Sequence, residues 1–354
     1  MNSLQGLERT ATTPFHITEG EPLAGGVISS VTAGEMWRDG ETEPIPVVIK
    51  RTHSDVVGGP QFSDSDKELL EKAPATHDLD AEVLWRLQDE ALIRVPKVFA
   101  TDSVKHETIM RDFRADGFRL MQDQLVEGSL PMATAWKVGH ALAFLQIRLA
   151  SLELGGLEPV EDSRVQMKER LWEAKTLLYD QLATYDQLET DFLDGDDPQL
   201  LYTDGHPKNM AIHPDGEVML FDFGRIIRGS GQYPPANFTG QIGLATIGGA
   251  LAPANGIEYI RQTVRAYDQV IPVDQTRFVR FFAAELIHRG LAMRWIDKRV
   301  AQRTGLDRTK LAAYGFFLKV FNIENPIQTL DGMLDTLGET AEQAQADALE
   351  NTGR

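Results

Sequence analysis

Residues 200–225 constrain this chain more tightly than any other stretch. Met210–His213 and Glu217–Phe221 are apolar-rich runs, and Pro214-Asp215-Gly216 between them combines the residue types that turns select, so the segment reads as a β-hairpin. Two registers are open. A two-residue turn at Asp215-Gly216 sets Asn209 across from Asp222, whereas a loop that includes Pro214 sets it across from Phe221. Either register leaves an amide oxygen beside a carboxylate at the open end of the hairpin, with Asp204 a short step upstream. Two adjacent oxygen donors suit a hard cation such as Mg²⁺, which takes few protein ligands and shares the rest with phosphates.

Upstream, the pattern is strand-like from Phe15. Phe15–Leu23, Val27–Met36 and Pro46–Thr52 are predicted strands, with Gly25-Gly26 at the first turn and Asp39-Gly40 at the second. Glycine lets backbone N–H groups approach phosphate oxygens with no Cβ in the way. Val47-Val48-Ile49-Lys50 is the most apolar run of this segment and ends on a lysine. Beyond a polar insertion at 52–77, in which Asp66–Lys72 reads as a short helix, Leu79, Val83, Leu84 and Leu87 recur at helical spacing. The predicted helix is Leu79–Asp89, with Glu82 near its middle. Val95–Thr101 and Glu107–Arg111 complete five strands.

Asp204-x-x-x-x-Asn209 followed by Asp222-Phe-Gly is the phosphoryl-transfer spacing of the protein-kinase type. The form Asp204-Gly-His206-Pro207-x-Asn209 resembles the aminoglycoside phosphotransferase and choline kinase family, in which Tyr202 stands where the pattern has a histidine. Val47-Val-Ile-Lys50 is similar to the third-strand Val-Ala-Ile-Lys of kinases. The resemblance implies an α+β, two-lobed protein-kinase-like fold: a small antiparallel N-lobe over 15–113 after a lead-in at 1–14, and a largely helical C-lobe over 114–327. It implies an ATP- and Mg²⁺-dependent kinase acting on a hydroxyl of a small acceptor. Asp204 would be catalytic and orient that hydroxyl, while Asn209 and Asp222 would hold Mg²⁺. Lys50 would contact the nucleotide phosphates, Glu82 would pair with Lys50, and Gly25 and Gly26 would cover the triphosphate. Met110, Arg111 and Phe113 lie where the family connects its lobes and meets the adenine edge with backbone groups. His206 either contacts phosphate or braces the loop.

After Gly224 no Ala-Pro-Glu anchor follows, which turns the expectation from a protein substrate toward a small one. Two alternatives remain: a protein kinase-like enzyme, and a nucleotide-binding regulator without turnover. The C-terminal part is predicted to be helical at Ala133–Leu149, Lys168–Leu182, Gly256–Ile271, Gln275–Arg299 and Arg308–Phe321, with an acidic loop at Asp191–Asp197. Residues 328–354 are expected to add a peripheral acidic helix.

A net charge of −18 opposes nucleic-acid binding, which needs clustered Lys and Arg. The absence of cysteine excludes disulfides, thiol nucleophiles and cysteine-ligated zinc. Neither a basic-then-apolar leader nor a run of bilayer length is visible, so a cytoplasmic location without a membrane partner is expected. Acceptor identity and oligomeric state are not encoded in any motif.

Overall fold

A computed structural model of the chain describes residues 15–23, 29–52, 64–152, 176–177, 182–193, 199–292, 298–301 and 303–352. The chain divides into two compact units. Of the described residues, the smaller comprises those up to Phe118 together with Met219–Arg225; the larger holds the rest.

The smaller unit is built on a five-stranded antiparallel sheet. Its strands are β1 (Phe15–Leu23), β2 (Ser29–Arg38), β3 (Ile45–Thr52), β4 (Val98–Asp102) and β5 (Glu107–Arg111), in the spatial order β1-β2-β3-β5-β4. β3 is the central strand, and Val47, Val48 and Ile49 are buried there, as a continuous apolar run requires. Met36, Val47, Ile49, Phe99, Ala100 and Ile109 form the core of this sheet. The register sets Lys50 opposite Val31 on one side and Thr108 on the other.

Among the described residues one helix, α1 (Asp64–Leu87), accompanies the sheet. It replaces the two helices expected within 66–89 and runs through Pro74. Proline forfeits one helical hydrogen bond, but Ala73, His77, Leu79, Asp80, Val83, Leu84 and Leu87 are all buried along it. Tertiary packing of that face outweighs the local break.

In the larger unit, β6 (Arg119–Leu120) precedes α2 (Met121–Val126) and α3 (Ala133–Ser151). α4 (Leu182–Leu193) and β7 (Gln199–Tyr202) follow, then β8 (Met210–Ile212), which pairs with β6. β9 (Val218–Leu220) carries the chain into the smaller unit, where Leu220 N donates to Arg94 O at 2.9 Å. β10 (Ile226–Gly229) returns antiparallel to β7, setting Ile226 opposite Tyr202. Five helices close the unit: α5 (Tyr233–Ile247), α6 (Pro253–Asp268), α7 (Gln275–Ala292), α8 (Leu306–Val320) and α9 (Leu330–Thr352). The expected helix at Lys168–Leu182 falls almost wholly outside the described residues.

Three features depart from the sequence reading. The stretch after Tyr233 is a helix, α5, and all of its residues but Gln241 are buried. Pro234 and Pro235 occupy its first turn, where their missing N–H groups have no helical partner to lose. Gly243 is required by packing, since a Cβ there would lie 2.7 Å from Phe282 Cζ. Second, Asp191 is no loop residue: it is buried at the end of α4 and accepts from Arg280 Nη1 at 2.9 Å. Third, α9 is embedded rather than peripheral. Met333, Leu334, Leu337 and Ala341 are buried, and Gln345 Nε2 donates to Thr246 O at 2.9 Å. Its acidic residues are the solvated face of an amphipathic helix.

Candidate active site

In the smaller unit the end of β3, the middle of α1 and the Asp-Phe-Gly segment meet at one ammonium group. Lys50 Nζ donates to Asp80 Oδ2 at 2.8 Å and to Asp222 Oδ1 at 2.7 Å. Asp80 uses its other oxygen, Oδ1, to accept the Phe223 N–H at 2.6 Å. Asp80 therefore ties the lysine and the Asp-Phe-Gly backbone to α1 through both of its oxygens. Its side chain is only 3% exposed, whereas that of Asp222 is 45% exposed. Burial alone would push the Lys50 ammonium toward neutrality, but the Asp222 and Asp80 carboxylates outweigh it and hold its pKa above the ordinary lysine value. The Lys50 side chain is thus held as an ammonium between two carboxylates.

The partner of Lys50 is thus Asp80, not Glu82. Residues two apart on a helix point to different faces, so only one of the two can reach the sheet. Glu82 accepts instead from Arg86 Nε, one turn further along α1. Asp222 has a backbone φ of 65°, in the left-handed region that aspartate tolerates better than most residues. Phe223 is fully buried, and Phe221 stacks on Phe113 with ring centroids 5.3 Å apart.

The segment after β5 is a run of turns. Arg111 N donates to Lys97 O at 2.8 Å and Asp112 N to Pro46 O at 3.1 Å, while Phe113 O accepts from Asp116 N and Phe118 N. Met110 is buried within the sheet, and the Arg111 guanidinium is held by Asp116 at 2.6 Å. Among the described residues the Phe113 N–H makes no hydrogen bond, so of the three residues proposed for nucleotide contact it offers the available donor.

The larger unit carries the other motif residues. After β7 the chain makes a tight loop: His206 N donates to Asp204 O at 2.8 Å, and Asn209 N donates to His206 O at 2.8 Å. Asn209 closes one turn of 3₁₀ helix begun by Pro207, and its Nδ2 donates to Asp204 O at 3.1 Å. This bond turns the amide so that Oδ1 faces away from the Asp204 carbonyl, and among the described residues Oδ1 has no donor. His206 takes part in the loop through both backbone groups. Tyr202 is buried and packs against Gly205.

Beyond β8, Gly216 N donates to His213 O at 2.8 Å, and His213 N donates to Glu217 O at 2.9 Å. Pro214-Asp215-Gly216 is therefore a three-residue loop, the second of the two registers, with Gly216 at φ 86° supplying the left-handed position such loops need. Asp215 Oδ1 accepts the Glu217 N–H at 2.9 Å.

The structure thus gathers Lys50, Asp80 and Asp222 in one unit, and Asp204, His206 and Asn209 in the other. Gly25 and Gly26 lie outside the described residues. Amide and carboxylate oxygens are the donor type that Mg²⁺ selects, and Asn209 Oδ1, which has no donor among the described residues, is one such oxygen in the larger unit. Asp80 was missed, although its carboxylate holds both the Lys50 ammonium and the Phe223 N–H.

No family model and no curated protein matches the sequence. Among solved structures, the chain is similar to a choline/ethanolamine kinase family protein from Mesorhizobium loti, at 11% identity over 93% of each chain and a TM-score of 0.48. It is also similar to an aminoglycoside phosphotransferase from Alicyclobacillus acidocaldarius, at 12% identity over 94% of this chain and 92% of that one, with a TM-score of 0.42. An ADP-bound aminoglycoside phosphotransferase shows 14% identity over 95% of each chain, with a TM-score of 0.40.

Proposed function

We propose that the chain is a phosphotransferase that moves the γ-phosphoryl group of ATP to a hydroxyl of a small molecule. The observation that carries this reading is Lys50, held as a charged group between Asp80 and the aspartate of Asp222-Phe-Gly. A lysine bound to two carboxylates on a buried strand is costly to desolvate. Its use is a fixed positive charge for the α and β phosphates. Asp80 sets the position of that charge and, through the Phe223 N–H, the position of Asp222 as well.

Asn209 and Asp222 would hold Mg²⁺, which when bound neutralises phosphate oxygens and so favours the loosened transition state of phosphoryl transfer. Asp204 accepts a hydrogen bond from the acceptor hydroxyl and aligns its oxygen with the γ-phosphorus. The hydroxyl oxygen bonds to phosphorus as the bond to the β-phosphate oxygen breaks; the hydroxyl proton passes to Asp204 and ADP leaves. Phe113 N–H would meet the adenine edge, and Gly25-Gly26 would cover the triphosphate. His206 acts as a loop brace, since both its backbone groups are used in the turn that carries Asp204 and Asn209.

Two features favour a small acceptor over a protein: the missing Ala-Pro-Glu anchor, and a chain that passes from Asp222-Phe-Gly through β10 directly into buried α5. Calorimetric titration with Mg-ATP tests the nucleotide half. Binding is expected in the wild type and lost in Lys50→Ala; equal binding by both proteins would remove Lys50 from the site.

A further inference from the structure

We propose that His77, Asp78 and His106 form a binding site for a divalent transition-metal ion of the zinc class, joining α1 to the turn between β4 and β5. Among the described residues these three are the one group whose ligand atoms all come together, within 4.8 Å of one another. All three belong to the smaller unit, and the site stands apart from the phosphoryl-transfer reading.

The geometry of each ligand is specific. His77 is buried on α1, and its two ring nitrogens face different partners: Nε2 lies 3.0 Å from Thr108 Oγ1, and Nδ1 lies 3.2 Å from Asp78 Oδ1. Metal-bound histidines commonly anchor their second nitrogen in this way, which fixes ring orientation and tautomer. The Thr108 hydroxyl can donate or accept, so it serves the ring whether Nδ1 carries a proton or a metal. Donors bonded to a tetrahedral ion at about 2.0–2.1 Å lie about 3.4 Å apart, close to the observed Nδ1–Oδ1 separation.

His106 is the observation that a simple His77–Asp78 ion pair does not explain. It closes the four-residue turn 103–106 with a left-handed backbone, φ 49°, and its carbonyl accepts the Thr52 N–H at 2.9 Å. The ring is brought edge to face with His77, centroids 5.7 Å apart. Its Nδ1 is buried without a hydrogen-bond partner among the described residues. A buried ring nitrogen with no partner loses its hydration for nothing in return; a metal ion supplies that partner. Two imidazoles and one carboxylate favour zinc, cobalt or nickel over the oxygen-seeking Mg²⁺.

The test is titration of the full chain with Co²⁺, read by its visible d–d absorption in a large excess of Mg²⁺, so that oxygen-rich sites stay filled. The wild type is expected to take up one Co²⁺ per chain and to surrender it to Zn²⁺, and Zn²⁺ is expected to raise its thermal midpoint. His106→Ala and Asp78→Asn, each checked for a native circular dichroism spectrum, are expected to bind about tenfold more weakly or worse. Loss in either folded variant supports the site. Absence of binding to the wild type, or undiminished Co²⁺ absorption in both folded variants, overturns it.

Discussion

Replacing Asp80 with alanine removes two interactions with one substitution. The Lys50 ammonium loses the Oδ2 partner at 2.8 Å, and the buried Phe223 N–H loses its acceptor at 2.6 Å. Breaking a buried ion pair from one side costs about 3–5 kcal/mol, because the remaining charge is stranded. Here Lys50 keeps Asp222, whose side chain is 45% exposed, so the loss falls at the lower end. An orphaned backbone N–H adds about 1–3 kcal/mol, and the two terms share a group and do not simply sum. We expect Asp80→Ala to cost about 3–4 kcal/mol in urea unfolding followed by tryptophan fluorescence. Trp37 on β2 and Trp85 on α1 report on the smaller unit. Combining Asp80→Ala with Lys50→Met removes the stranded charge, so the double variant should lose about 1–2 kcal/mol less than the sum of the single ones. Additive losses, or a loss below about 1 kcal/mol in Asp80→Ala, would refute the claim that Asp80 is the anchor of Lys50.

Two further outcomes follow from the same geometry. Gly243→Ala should destabilise the larger unit by about 1–3 kcal/mol in the same unfolding assay, since the added Cβ meets Phe282 at 2.7 Å. Asp222→Ala should weaken Mg-ATP binding in calorimetry while Asp215→Ala, at the exposed hairpin turn, leaves it unchanged; equal effects would separate the Asp-Phe-Gly aspartate from the nucleotide.

The strands of the smaller unit were legible because period and turn chemistry agree there. Phe15–Leu23 and Glu107–Arg111 are strands with the expected limits, and Lys50 lies within β3, which runs on to Thr52. The partner of Lys50 was not legible, for a reason that lies in helix boundaries. With a helix expected to begin at Leu79, Asp80 falls in a fraying first turn and Glu82 near the middle. The real helix begins at Asp64, which places Asp80 deep inside it. Pro74 hid that continuity, because local propensity carries no knowledge of the buried face that sustains the helix. Pro234-Pro235 and Gly240 concealed α5 in the same way. Nothing in the spacing of His77 and His106 announces a site: a sheet hairpin and a helix bring them together. The motif residues Asp204, Asn209 and Asp222 were proposed from spacing and family resemblance, both of which depend on residue type more than on packing.

The central claim is phosphoryl transfer, and the most direct measurement is transfer from γ-labelled ATP to a panel of polyols, aminoglycosides and amino alcohols, for the wild type and Asp204→Ala. The account predicts Mg²⁺-dependent labelling of at least one acceptor by the wild type. It predicts that Asp204→Ala binds Mg-ATP with unchanged affinity yet labels nothing. Labelling by Asp204→Ala at the wild-type rate, or Mg-ATP binding by the wild type with no labelled acceptor anywhere in the panel, would contradict it; the latter result would mark the chain as a nucleotide-binding regulator.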